Sequence, residues 1–149
     1  MKKLFTIGFL LSFLFVTFAP LSASAQDCSG SIDAVCRSYK GIAQTIDKCR
    51  YEEDLNRMDF MELIYGSEIG RIPDSCASYK LTSEDKRKMR DAFKEIHTSM
   101  INKLTEFYGA SMKASIEKDM QWMMETYDEI EEESPTLGSY LKNLDDLQD

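Results

Sequence analysis

The chain has 149 residues, 43% of them hydrophobic, and carries 26 acidic against 18 basic side chains, for a formal net charge of −8 with a single histidine. An acidic chain with no basic stripe is repelled by phosphate backbones and by anionic membrane surfaces, so neither nucleic acid nor such a membrane is an expected partner. No Gly-rich phosphate loop, haem Cys-x-x-Cys-His or recognisable nucleophile motif occurs, and the chain reads as a non-enzyme with no cofactor.

At the start, Lys2 and Lys3, an apolar run from Leu4 to Phe18 and then Ala23-Ser24-Ala25 make a three-part export signal with a small-x-small cleavage site. The run is shorter than the ~20 apolar residues of a spanning helix, so removal is expected and not retention as an anchor. Asp27 also occupies the place before Cys28 where lipoprotein signals carry a small residue. Residues 1–25 are thus read as a cleaved signal peptide and residues 26–149 as one helical domain of 124 residues, periplasmic or secreted. Loss of Lys2 and Lys3 takes the net charge from −8 to −10.

Cys28, Cys36, Cys49 and Cys76 all lie in the exported part, and an even count after an export signal reads as two disulfides. Their spacings match neither zinc ligands nor a redox Cys-x-x-Cys pair, so no metal is expected. Ile32, Val35, Cys36, Tyr39, Ile42, Ile46 and Cys49 form one helical stripe, which predicts a helix from about Ser31 to Arg50. Along it Cys36 and Cys49 would lie ~20 Å apart, beyond disulfide reach. The expected pairs are therefore Cys28–Cys36 and Cys49–Cys76. A break at Gly41 would instead permit Cys36–Cys49 with Cys28–Cys76.

Beyond Tyr51 the spacing of Leu55, Met58, Met61 and Ile64 predicts a short helix, yet six of the eight residues from Met58 to Tyr65 are apolar, more than one helix face needs. Two readings follow. The segment is either buried between the first helix and the rest of the bundle, or an apolar surface for a partner, with Phe60, Met61 and Tyr65 as anchors and Glu62, Glu68 and Arg71 around them. Gly66, Gly70 and Pro73 then mark an irregular connection to Cys76.

The stretch from Thr82 to Ile130 carries two amphipathic patterns. Met89, Phe93, Ile96, Met100, Leu104 and Phe107 recur at steps of four and three, as do Met112, Ile116, Met120, Met123, Tyr127 and Ile130. Thr82 is the N-cap of the first, with Asp85 completing a capping-box variant, and Gly109 suits the residue that ends it. A turn at Gly109–Ala110 folds the two into an antiparallel hairpin. Facing pairs then have numbers summing to 219 (Met89–Ile130, Ile96–Met123, Phe107–Met112) or 220 (Phe93–Tyr127, Met100–Met120, Leu104–Ile116). The same register sets Lys86, Arg87, Arg90 and Lys94 opposite Glu133, Glu132, Glu129 and Glu125, pairs that fix orientation more than they add stability. Ser134-Pro135 starts a last short helix whose stripe is Leu137, Leu141, Leu144 and Leu147.

His97 borders the apolar stripe without a nucleophile motif, and Lys94 stands where a Glu-x-x-His metal pair needs its Glu, so it reads as a core-edge histidine. Met120, Met123 and Met124 surround Trp122, the only tryptophan. Soft thioethers can bind Cu(I), but Met120 and Met123 continue the core stripe, where methionine fills gaps between helices. Leu81-Thr82-Ser83-Glu84-Asp85 resembles the Leu-Thr-x-x-Gln motif of the Spy-like periplasmic chaperones, with Asp85 in place of the Gln and in a single copy. That resemblance implies a small helical protein that binds unfolded clients on a cradle-shaped surface.

The sequence thus predicts an all-α, small disulfide-linked helical bundle built on a long antiparallel helical hairpin. Its expected role is a non-enzymatic protein-binding or inhibitory module, with a Spy-like chaperone or a small-molecule or metal carrier as alternatives.

Overall fold

The stripe of apolar residues that begins at Cys28 carries an unbroken helix, α1, over Ala25–Lys48. The computed structural model describes residues 25–59, 62–63 and 68–148. Cys28, Ile32, Val35, Tyr39, Ile42 and Ile46 are all buried, a spacing of three and four that keeps one face inward. Gly41 does not break α1, because it lies on the exposed side and its carbonyl accepts a bond from the Thr45 hydroxyl at 2.9 Å.

A short α2, Glu52–Asn56, follows, held at its start by the Asp54 carboxylate, which accepts from the Arg50 and Tyr51 amides at 3.0 and 3.1 Å. Single 3-10 turns at Ile69–Arg71 and Asp74–Cys76 then bring the chain back along α1, with Ile69 buried. The longest element, α3, spans Ser83–Tyr108. Its expected cap is present: the Thr82 hydroxyl accepts from the Asp85 amide and the Asp85 carboxylate accepts from the Thr82 amide. Gly109 closes it at φ 96°, a conformation that favours glycine. The return arm is α4, Lys113–Asp119, and α5, Gln121–Glu133, separated by Met120. The last helix, α6, spans Leu137–Asp145, with a 3-10 turn at Asp146–Gln148.

The architecture is all-α with a long helix pairing, as expected, and α1 lying along α3 makes the most extensive contact in it. The hairpin of α3 with α4 and α5 packs beside that pair, and α6 closes the bundle against α5. The loops before α3 and α6 are tied to each other by backbone bonds: Leu81 N–H to Pro135 O, Leu137 N–H to Tyr79 O and Gly138 N–H to Ala77 O. A Cβ at residue 138 would lie 2.8 Å from the Ala77 carbonyl, so glycine is what allows this approach.

Several sequence expectations are corrected. The first helix starts at Ala25, so Cys28 and Cys36 share one helix, ~12 Å apart along it, and cannot pair. The bond that forms is Cys28–Cys76, with a Cα–Cα distance of 5.5 Å, because the turns from Ile69 to Cys76 run to the N-terminal end of α1 and not to its C-terminal end. Cys36 and Cys49 are free thiols, and α1 remains unbroken between them.

In the hairpin, Phe93 meets Tyr127 as the register requires, but Arg90 pairs with Asp128 at 2.8 Å and not with Glu129. Arg87 pairs within its own helix with Glu84 and Asp91, and the Lys86 ammonium donates to the Glu131 carbonyl. Met112 lies on the turn after Gly109 and is exposed, so it is not a core residue as the register expects. The last helix starts at Leu137 with Thr136 as its cap, two residues after Pro135.

Two measurements check this fold. Peptide mapping without reduction should recover one bridge, Cys28–Cys76, and alkylation of the denatured protein should label Cys36 and Cys49; a Cys49–Cys76 peptide would contradict the docking of the Ile69–Cys76 turns on α1. Burial opposes ionisation of Asp85, but bonds from the Thr82 amide and hydroxyl and from Tyr79 hold its carboxyl below the usual carboxylate range. Its stabilisation is therefore complete above the unfolded-state value of ~3.9 and disappears as pH falls through the lower folded value. Asp85→Ala should cost about 1–2 kcal/mol in urea melts at pH 7, and the gap to wild type should close in strong acid. An undiminished gap there would show that the carboxylate charge is not what the cap uses.

Candidate binding cleft

Four aromatic rings, one from each of four helices, form the centre from which the site is built. Phe93 of α3 lies edge-on to Tyr39 of α1 at 5.5 Å between centroids and stacks on Tyr127 of α5 at 4.5 Å, and Tyr127 lies edge-on to Tyr140 of α6 at 6.3 Å. The Tyr39 and Tyr140 hydroxyls bond to each other in full burial. Burial pushes the Tyr127 and Tyr140 phenols far above their ordinary range, so both stay neutral at any physiological pH.

Beside this aromatic column a cleft of about 460 Å³ opens between the helices. Its walls are Ile42 of α1, Leu55 and Asn56 of α2 with Met58 just after, and Phe93, Ile96, Met100 and Leu104 of α3. Met120 and then Trp122, Met123, Thr126, Tyr127 and Ile130 of α5 face them, with Leu144 of α6 and Leu147 beyond it at one end. Among the described residues the lining holds no Asp, Glu, Lys, Arg or His. Asn56 and Thr126 are its main polar side chains. Trp122 and Leu147 are 57% and 51% exposed and mark the mouth together with exposed Asn56.

The cleft gathers residues that the hairpin register had paired. Ile96 with Met123 and Met100 with Met120, expected as core contacts, share its walls. Met120 and Met123 are half-buried. The signal that the sequence held was Trp122, one place off the stripe, which widens the apolar face of α5 beyond what packing on α3 uses.

The proposed anchors Phe60, Met61 and Tyr65 lie outside the described residues, as do Ile64 and Gly66. Of the same segment, Met58 and Leu63 pack against the core, and Glu62 is exposed. Glu68 pairs with Arg37 at 2.6 Å on another face of α1.

His97 donates from Nε2 to the Met120 carbonyl at 3.1 Å, which fixes the junction of α4 and α5 and gives the ring a structural task. The Cys49 thiol donates to the Thr45 carbonyl and lies 3.6 Å from the Met58 sulfur. Burial, with Asp54 adding to it, pushes this thiol up; burial and Asp33 do the same for Cys36. Neither is therefore an activated nucleophile. Among the described residues no three His, Cys, Asp or Glu side chains gather where they could hold a metal ion. None of their helices is long and apolar enough to cross a membrane. Leu81–Asp85 works as the cap of α3.

Compared with protein-family models, with curated proteins and with solved structures, the chain matches none, so its own geometry carries the functional reading.

The two aromatic walls of the cleft differ in what they do. Phe93→Ala should destabilise the protein by about 3–4 kcal/mol, because it empties the middle of the aromatic column. Trp122→Ala should change stability by less than about 0.5 kcal/mol. Equal losses in thermal or urea melts would place Trp122 in the core and not at a mouth.

Proposed function

We propose that this chain is an exported, non-enzymatic binding protein and that the apolar cleft is where it holds its partner. The observation that carries the reading is the lining: a concave, uncharged surface built from α1, α2, α3, α5 and α6, of a volume typical of ligand sites. Among the described residues its lining carries no Asp, Glu, Lys, Arg, His, Ser or Cys side chain. Export is supported by the Cys28–Cys76 disulfide, a bond suited to an oxidising compartment, and by the three-part leader of residues 1–25. The proposed partner-binding surface is the walls around Met100, Met123 and Trp122; Phe60, Met61 and Tyr65, the anchors expected from the sequence, lie outside the described residues. A small-molecule carrier is the second reading, favoured by the same concave shape.

The test uses a neutral, environment-sensitive apolar dye such as Nile red. The mature protein should bind one dye molecule per chain with enhanced emission. Met123→Glu and, separately, the exposed Trp122→Glu should each weaken binding roughly tenfold or more, with unchanged helical circular dichroism, since each sets a charge against an apolar ligand. Failure of the wild type to bind, or equal binding by both folded variants, would remove the cleft as the site.

A further inference from the structure

Resting on that reading, we infer that the natural occupant of the cleft is the apolar face of a basic amphipathic helix presented by a partner protein. All three elements that supply the mouth are acidic: α2 carries Glu52, Glu53 and Asp54, and α5 carries six acidic residues and no basic one. The third, α6 with the turn after it, sets Asp145 and Asp146 against Lys142 alone.

Some of these charges are already engaged, Glu52 on the Tyr108 hydroxyl, Asp54 on two amides, Glu125 on the Gln121 amide, Asp128 on Arg90 and Asp146 on Lys142. Glu129, Glu132, Glu133 and Asp145 are exposed and form no ion pair among the described residues.

Trp122, Thr126 and Ile130 line the cleft at steps of four along α5. Glu125, Glu129 and Glu133 follow each of them by three positions, so an acidic row runs parallel to the apolar edge of the same helix. A helix with apolar side chains at i, i+4 and i+7 and lysines or arginines beside them is complementary to that arrangement.

An α-helix is ~10–12 Å across with its side chains, too wide to be swallowed, but about 460 Å³ accepts a few apolar anchors inserted from a helix lying over the mouth. Met58, Met100, Met120 and Met123 supply unbranched, polarisable walls that can refit around anchors of different shape. A hydrocarbon ligand alone would leave the acidic row without a role, and an acidic amphiphile would be repelled by it.

The experiment compares three tryptophan-free peptides of equal length with the mature protein: an amphipathic Leu/Lys helix, its Leu/Glu counterpart, and a Leu/Lys peptide of the same composition with leucines scattered round the helix. Calorimetry gives the affinity, and Trp122, the only tryptophan, reports occupation of the mouth by its emission. The amphipathic Leu/Lys peptide should bind one to one with a blue shift, more weakly as salt rises, and about tenfold or more tighter than either control. Reversing Glu125, Glu129 and Glu133 to Lys should weaken it by about tenfold or more.

Equal binding of the scattered peptide would reduce the effect to bulk charge and overturn the inference, as would equal binding of the Leu/Glu peptide. If Nile red occupies the cleft but no peptide does, the binding-protein reading stands and the helical partner falls. If neither does, both fall. Self-association that buries Trp122 without any peptide would assign the mouth to a second copy of the chain and also overturn the inference.

Discussion

The stack of Tyr39, Phe93, Tyr127 and Tyr140 is the contact on which the rest of this bundle depends, because it joins α1, α3, α5 and α6 through side chains at one level. Each ring pair adds about 0.5–1.5 kcal/mol to the large apolar area that the rings bury. The bond between the Tyr39 and Tyr140 hydroxyls gives these two buried groups a partner, so neither carries the penalty of an unpaired polar group. Phe93 and Tyr127 face both ways: they belong to the column and to the wall of the cleft. The position of α5 relative to α3, and with it the width of the cleft, is set by that stack.

A rigid apolar cleft suits binding because a surface ordered before its partner arrives loses less conformational freedom on association. Here the order comes from elements outside the cleft as well. Cys28–Cys76 fastens the chain to the far end of α1, the paired loops before α3 and α6 fix where those two helices begin, and His97 holds the junction at Met120. What remains adjustable is the methionine lining. The scaffold is thus stiff where the helices meet and soft where a ligand would touch, a division that accommodates anchors of more than one shape.

Local features were legible in the sequence. The capping box at Thr82 and Asp85 depends on residues three apart, the stripe of α1 on one helical face, and the turn at Gly109 on a single residue that tolerates positive φ, so each could be read without knowing the fold. Long-range choices were not. The disulfide partner of Cys76 depends on which end of α1 the Ile69–Cys76 turns dock against, and no residue near Cys49 or Cys28 announces that. The break at Met120 has no Gly or Pro behind it; it arises where a ring from α3 takes a helical carbonyl, a contact invisible in one dimension. The cleft was hidden for a similar reason. The stripes of α3 and α5 were identified correctly as apolar, but whether two apolar stripes close on each other or stand apart is decided by the rings between them.

If the walls between α3 and α5 are the binding surface, the methionine ε-methyl groups report on it directly. With carbon-13 in those methyls, titration of the mature protein with a bound probe, the neutral dye or the basic amphipathic peptide, should shift the resonances of Met100, Met120 and Met123 together. Buried Met89, away from the cleft, and exposed Met112, on the turn after α3, should remain in place. Movement at Met112 alone, or binding that leaves all three cleft methyls unchanged, would show that the binding surface lies elsewhere.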